Sequence, residues 1–231
     1  MTKVAIIPAR GGSKRLPRKN ILPVLGKPIL FYPVTTSLKS GLFDQVIVST
    51  EDSEIKEAAK NAGARVMDRP VELAQDRASV VQVCLNVLDE LFKEGIQPKY
   101  FCCIYATAIF ITPEDLKESF LLMTKNPETS IVMGVSEFNL QPVQALEDKD
   151  GYLRLKWLEY KELQSQFQPQ LVASNGTLYW GVTSSFLESK SFYLKKLKGY
   201  KIPWIKAIDL DTPEDLRIAQ MIAPQFLNKH H

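Results

Sequence analysis

Lys3-Val4-Ala5-Ile6-Ile7-Pro8-Ala9-Arg10-Gly11-Gly12-Ser13-Lys14-Arg15-Leu16-Pro17-Arg18-Lys19-Asn20 is the stretch from which the rest of the chain can be read. Its first five residues, Lys3–Ile7, form a nearly continuous apolar run, the pattern of a strand in a parallel sheet covered on both faces. A loop follows in which Arg10, Lys14, Arg15, Arg18 and Lys19 share ten positions with Gly11 and Gly12. Glycine permits close backbone approach, and Arg and Lys neutralise phosphate oxygens, so the loop suits a nucleoside triphosphate. Neither GxxxxGK[ST] nor GxGxxG is present, which argues against a P-loop NTPase and a dinucleotide site. A solvated basic loop or a nucleic-acid patch is the alternative. The position of the cluster, where a first parallel strand delivers its ligand loop, favours phosphate.

Outward from this stretch, apolar runs alternate with helical patterns. Gln45–Ser49, Arg65–Met67, Tyr100–Tyr105 and Ser130–Val135 read as strands. Pro28 opens a helix toward Ser40, Ser53–Ala62 ends at Gly63, Val80–Phe92 is amphipathic, and Pro113–Lys125 follows a Thr112 cap. The reading is α/β: a doubly wound, mostly parallel sheet whose ligands sit beyond the carboxyl ends of the strands. The loops after Pro8, Thr50, Met67 and Tyr105 should then share one cleft. From about 138 to 170 the pattern breaks into a turn, Glu147–Gly151, an alternating Tyr152–Trp157 and a Gln-rich segment, which together read as an insertion. Thr177–Val182 then reads as a strand, Tyr193–Lys201 as a basic segment, Ile202–Ile208 as a strand, and Pro213–Ile222 as the last helix.

The composition is that of a globular protein: 231 residues, 45% hydrophobic and 24% charged. One domain over 1–231 with an insertion fits this length. Twenty-nine Lys and Arg against 26 Asp and Glu leave +3, which gives no support for a nucleic-acid partner. Cys84, Cys102 and Cys103 fit neither a disulfide framework nor a CxxC metal site, so a reducing, cytoplasmic setting is expected. No apolar stretch reaches the roughly 20 residues of a membrane span. The two histidines, His230 and His231, sit at the extreme terminus and are left out of any metal or catalytic reading.

Three further segments carry polar chemistry. Asp209 and Asp211, two apart in Ile208-Asp209-Leu210-Asp211-Thr212-Pro213, would face one side if they end a strand, and such a carboxylate pair suits Mg²⁺. Asp211 before Thr-Pro also suits a helix start, whereas Asp209 has no such duty and could instead pair with the basic loop. Arg69, in Asp68-Arg69-Pro70, could meet a base edge, a phosphate or a surface carboxylate with equal ease. Ser174-Asn175-Gly176-Thr177 before the aromatic Leu178-Tyr179-Trp180 suits either a sugar or a tight turn into a core strand.

These residues together resemble the CMP-sialic acid synthetases, or acylneuraminate cytidylyltransferases, over most of the chain. IPARGGSKRLPRKN (7–20) is similar to their nucleotide signature, DRPVELAQDRAS (68–79) to their base-side segment, SNGTLYWG (174–181) to their sugar-side strand and IDLDTPEDL (208–216) to their metal segment. CIYATAIF (103–110) and TLYWG (177–181) look nearest the pseudaminic acid cytidylyltransferase branch. The resemblance implies a Rossmann-like nucleotidyltransferase fold and a Mg²⁺-dependent transfer of CMP from CTP to the anomeric hydroxyl of an acidic nine-carbon sugar, with release of pyrophosphate. It implies that Arg10, Ser13, Lys14, Lys19 and Asn20 hold the triphosphate and ribose, with Arg10 and Lys19 catalytic, and that Arg69 and Ser79 face the nucleoside. Asp209 and Asp211 would be catalytic metal ligands. Tyr105, Asn175, Tyr179, Phe192 and Tyr193 would line the sugar site, the last two as apolar walls. It also implies a homodimer built through the insertion.

The chain departs from that pattern on the sugar side. Gln164, Ser165 and Gln166 stand where an arginine often meets the sugar carboxylate, leaving Lys156 and Lys161 as substitutes. Ala173-Ser174-Asn175-Gly176 stands where pseudaminate enzymes are expected to show His-Asp-Ala-Gly. Pseudaminic acid, legionaminic acid and a less common acidic sugar therefore all remain as acceptors. The competing readings are a cytidylyltransferase for 3-deoxy-manno-octulosonate and a silent nucleotide- or RNA-binding module, which would show strong salt dependence without a metal requirement.

Overall fold

A computed structural model of the chain describes residues 1–138 and 140–227. Asn139 of the insertion and the terminal Asn228, Lys229, His230 and His231 lie outside the described residues. In chain order the strands are β1 (Lys3–Pro8), β2 (Pro23–Val24), β3 (Lys27–Pro28), β4 (Gln45–Thr50), β5 (Arg65–Asp68), β6 (Tyr100–Ile104), β7 (Ile131–Glu137), β8 (Leu146–Lys149), β9 (Tyr152–Leu155), β10 (Val172–Val182) and β11 (Leu197–Lys201). The α-helices are α1 (Phe31–Ser40), α2 (Ser53–Asn61), α3 (Val80–Lys93), α4 (Pro113–Thr124), α5 (Thr183–Ser189) and α6 (Pro213–Phe226).

Seven strands form one sheet in the order β11-β7-β10-β6-β1-β4-β5. Only β10 runs antiparallel to its neighbours, so the sheet is mostly parallel, as its apolar runs require. The strand alternation sorts the core. Ala5 and Ile7 pack with Val34 of α1, Ile55 and Ala59 of α2 and Leu116 of α4, whereas Val4 and Ile6 pack with Val87, Leu88 and Leu91 of α3 and Phe186 of α5. The vicinal cysteines obey the same rule, with Cys102 on the first face and Cys103 on the second, both buried and free. Helix starts follow their caps: Ser79 with Gln82, Thr112 with Asp115, and Thr212 with Asp215 form reciprocal capping boxes.

Three boundaries differ from the sequence reading. Pro28 does not open a helix; it closes a β2–β3 hairpin whose central residues Leu25 and Gly26 both have positive φ, and α1 begins at Phe31. Ile202–Ile208 is not a strand. The ladder ends where Ile202 N–H donates to Val135 O, and the next residue, Pro203, has no N–H to continue it. Trp204–Lys206 is a single 3₁₀ turn instead. The strand lies just upstream, as β11 within the basic segment, with lysines suited to an exposed sheet edge. Lastly, β10 starts five residues before Thr177, interrupted by a register shift between Ser174 and Tyr179 where Gly176 takes a positive φ.

Candidate active site

The loop after β1 is held open from beneath by the loop after β4. Gly11 N–H donates to Glu51 Oε1 at 2.7 Å, and a Cβ on Gly11 would lie 2.5 Å from Asp52 Oδ2, so only glycine fits that approach. Asp52 does double duty. It caps α2 by accepting from Glu54 and Ile55 N–H at 3.0 Å each, and it receives the Arg18 guanidinium, whose Nη2 is 3.1 Å from Asp52 Oδ1. Arg18 reaches there from a left-handed backbone (φ 58) and also pairs with Glu54 at 3.0 Å. The Arg18 hydrogen bond, helped by the helix N–H groups, holds the Asp52 carboxyl below its ordinary range against the opposing effect of burial. Asn20, almost fully buried, donates from Nδ2 to Arg10 O at 2.9 Å and so fixes the arginine's backbone.

Above this foundation lies a cleft of about 460 Å³ at the carboxyl ends of the strands. Arg10, Ser13, Lys14, Lys19 and Asn20 line it together with Arg69, Tyr105 and Asp211. Seven of the nine residues expected on the nucleotide side or at the metal edge of this cleft are thus brought together, Asp209 not lining it, and Tyr105 joins them from the sugar set. Ser79 is not; it is exposed and spends its hydroxyl capping α3. Arg69 is 6% exposed and donates to Ser49 O at 2.6 Å, which removes the surface ion pair as a reading. Burial lowers its pKa, with Glu51 opposing.

The aspartates behave differently from each other. They occupy an irregular loop, not a strand end, and Asp209 is exposed, so strand alternation does not orient them. Asp211 is no helix cap either, since Thr212 and Asp215 cap α6. Asp211 makes the ion pair with the basic loop that the sequence left open for Asp209: Lys19 Nζ is 2.8 Å from Asp211 Oδ1, and Arg15 holds the other oxygen. No hydrogen bond or ion pair among the described residues reaches the Asp209 carboxylate. Crowding by surrounding protein and repulsion from Asp211 raise its pKa, while Lys19 and Arg15 pull it down. Among the described residues, no group of three His, Cys, Asp or Glu is placed to hold a metal. Two hard oxygen donors, one uncommitted, fit a cation such as Mg²⁺ that takes its remaining ligands from water and substrate phosphate.

The sugar-side residues form a second cluster next to the cleft, running away from Tyr105. Tyr105 and Tyr179 rings are 5.6 Å apart and Tyr179 and Phe192 rings 4.8 Å apart. Burial raises both phenols above their ordinary range, Tyr105 the further. Phe192 is not a free wall. It is buried in the core against Phe186 and Phe101, while Tyr193 beside it is exposed. Asn175 is committed to the bulge, donating to Ser136 Oγ at 3.0 Å and accepting from Thr177 Oγ1 at 2.6 Å. Lys156 pairs with Glu147, and Lys161 lies 3.6 Å from Glu162. The insertion itself is a β8–β9 hairpin turning at Asp150 and Gly151, both at positive φ, with Leu146, Tyr152, Leu153, Leu158 and Phe167 exposed on and after it.

Sequence reading missed Glu51, Asp52 and Asp76. All three act on the basic loop across 34 to 66 residues of chain, and such contacts leave no local spacing to find.

With this geometry in hand, comparison with known proteins is direct. Residues 4–201 match the family model described as Cytidylyltransferase. The chain is 32% identical over 225 residues to the pseudaminic acid cytidylyltransferase of Campylobacter jejuni, covering 96% of each. It is 28% identical over 229 residues to the CMP-N,N'-diacetyllegionaminic acid synthase of Legionella pneumophila, again covering 96% of each. In fold it is similar to a CMP:2-keto-3-deoxy-manno-octonic acid synthetase complexed with CTP, with a TM-score of 0.70 at 16% identity over 98% of this chain and 100% of that one.

Proposed function

We propose the reaction of a chain that belongs to the cytidylyltransferase family: it transfers CMP from CTP to the anomeric hydroxyl of a nonulosonic acid, pseudaminic or legionaminic, and releases pyrophosphate. The observation that carries this reading is the meeting of Lys19 and Asp211 at 2.8 Å across 192 residues of chain, at the mouth of a cleft walled by cations. The names of the relatives above supply the acceptor class.

In the reaction, the sugar hydroxyl oxygen attacks the α-phosphorus in line and gives its proton to solvent, while the bond from the α-phosphorus to the bridging oxygen breaks and its electron pair leaves with pyrophosphate. Such transfer needs positioning and charge stabilisation more than a protein nucleophile, which suits a cleft with no histidine among its described lining residues. Arg10, Lys14 and Lys19, with Ser13, would hold the triphosphate, and Arg10 and Lys19 would meet the charge that develops at the reacting phosphorus. Asn20 would act one step back, by keeping the Arg10 backbone in place. Arg69 would face the nucleoside from its buried seat on Ser49, while Ser79 would act only through the start of α3. Tyr105 and Tyr179, kept protonated, would donate hydrogen bonds toward the acceptor, with Asn175 and Phe192 shaping the strand behind them and Tyr193 at the rim. Asp209 and Asp211 would hold Mg²⁺, which supplies neutralisation of phosphate charge when bound. The exposed apolar side chains of 138–170 would pair two copies into a dimer. The expected setting is the cytoplasm.

The test is pyrophosphate release with CTP, ATP, GTP or UTP against a panel of pseudaminic, legionaminic, N-acetylneuraminic and 3-deoxy-manno-octulosonic acids, with one arm in EDTA. Turnover with CTP and a nine-carbon acid, lost in EDTA, is the expected result. Turnover with only the eight-carbon acid, or binding of CTP without turnover on any acceptor, would refute the reading.

A further inference from the structure

The cleft holds a carboxylate where an anionic ligand has to bind. Asp76 lines it with Arg10 and Lys14 and engages both: Arg10 Nη1 lies 2.8 Å from Asp76 Oδ1, and Lys14 pairs with the other oxygen. Two cations assigned above to the triphosphate are therefore already occupied. Asp76 has no structural duty that would explain this. The turn around it is closed by Ala78 N–H on Gln75 O, and the helix that follows is capped by Ser79 and Gln82. Its side chain is 44% exposed, and the Lys14 side chain 80%, so neither pair is locked by packing. The Lys14 and Arg10 hydrogen bonds also lower the Asp76 pKa, so it is an anion at neutral pH. Left in place, it would repel the phosphates that the same cations attract.

We propose that Asp76 is a displaceable stand-in for phosphate: it holds Arg10 and Lys14 over the cleft in the nucleotide-free enzyme and yields them to the triphosphate. This rests on the triphosphate assignment made above. Exposed ion pairs are weak and a multiply charged, multidentate phosphate chain is a stronger partner for Arg and Lys, so the exchange runs toward bound nucleotide. The competition lowers the affinity for every phosphate ligand, and it weighs most against ligands with few phosphate oxygens. Once pyrophosphate has left, Asp76 can retake Arg10 and Lys14, which favours release of a product that keeps a single phosphate.

Calorimetric titration without metal, at low salt, separates the outcomes, using CTP and inorganic tripolyphosphate as probes. The proteins are wild type, Asp76→Asn and Glu72→Gln, the last removing one exposed negative charge from the neighbouring 3₁₀ turn, Val71–Ala74. Asp76→Asn is expected to bind both probes about three- to tenfold more tightly, the order expected from freeing two exposed ion pairs. Glu72→Gln should stay within about twofold of wild type, and the gain from Asp76→Asn should shrink as salt is raised. An unchanged melting temperature verifies that the fold is intact, and a merely structural Asp76 would give weaker binding. Equal or weaker binding by Asp76→Asn would overturn the proposal. If wild type binds tripolyphosphate but not CTP, the proposed reaction fails while the competition is still measured; if it binds neither, both fail.

Discussion

The two sides of the cleft are built on different terms. On the nucleotide side each cation of the basic loop is held by a carboxylate of the same chain: Arg18 by Asp52 and Glu54, Arg10 and Lys14 by Asp76, Lys19 and Arg15 by Asp211. On the acceptor side the aromatic ladder Tyr105–Tyr179–Phe192 is packed, but the neighbouring hairpin leaves Leu146, Tyr152, Leu153, Leu158 and Phe167 in solvent. Exposed apolar side chains grouped on one segment are the feature on which the proposed dimer interface rests. The difference teaches that the charged side of the cleft is organised within one chain, whereas the proposed dimer would let a second copy cover the apolar residues of the acceptor side. Substitutions on the two sides should therefore fail in different ways.

The largest effect is expected from Asp209→Ala. Turnover should fall by at least about 10²–10³, the scale of losing a group that stabilises charge in the transition state. CTP binding in the absence of metal and the melting temperature should hold, because no described hydrogen bond or ion pair depends on that carboxylate. Near-normal turnover would remove Asp209 from the site. Next comes Gly11→Ala, which forces a methyl group into Asp52 and with it disturbs the Arg18 clamp and the α2 cap. A loss of about 1–3 kcal/mol in unfolding free energy is expected, the range for overpacking, together with weaker CTP binding. Wild-type behaviour in both would show that the loop does not rely on this close approach.

On the other side, the double substitution Leu158→Ser and Phe167→Ser should move the sedimentation coefficient toward the monomer and raise KM for the acceptor, leaving the CTP Kd alone. A dimer that survives unchanged would erase the contrast between the two sides. The smallest effect is pH-dependent. The Asp52 carboxyl is lowered in the folded protein, so the stability it contributes is present above its unfolded pKa and is lost as pH falls through the folded one. Asp52→Asn keeps a good helix cap but cannot titrate. Its denaturation midpoint should fall less steeply than wild type below about pH 4, while at neutral pH it should be slightly the less stable. Parallel acid limbs would show that the Arg18 pair adds nothing.

Much of this architecture was legible in the chain. Lys3–Ile7 and Tyr100–Tyr105 carry nearly continuous apolar runs, and Thr112 and Thr212 announce their helices, so the parallel sheet and its ligand loops follow from local pattern, whereas the cap at Ser79 reads as a nucleoside contact. β11 was not legible, because an edge strand with lysines alternating around Gly199 looks like a charged loop, while the apolar Ile202–Ile208 beside it looks like a strand until Pro203 is weighed. The cation cluster pointed to phosphate from sequence alone. Its carboxylate partners Glu51, Asp52, Asp76 and Asp211 did not, since their pairing depends on strand order. Phe192 illustrates the opposite error: aromatic residues near a sugar-binding segment suggest walls, and burial assigns this one to the core.

The most direct test is phosphorus-31 NMR of the reaction of CTP with pseudaminic or legionaminic acid in the presence of Mg²⁺. The account predicts loss of the three CTP signals with equal growth of pyrophosphate and one phosphodiester resonance that requires the acceptor. Pyrophosphate without that phosphodiester, or CMP formed equally with and without acceptor, would mean hydrolysis and would contradict cytidylyl transfer.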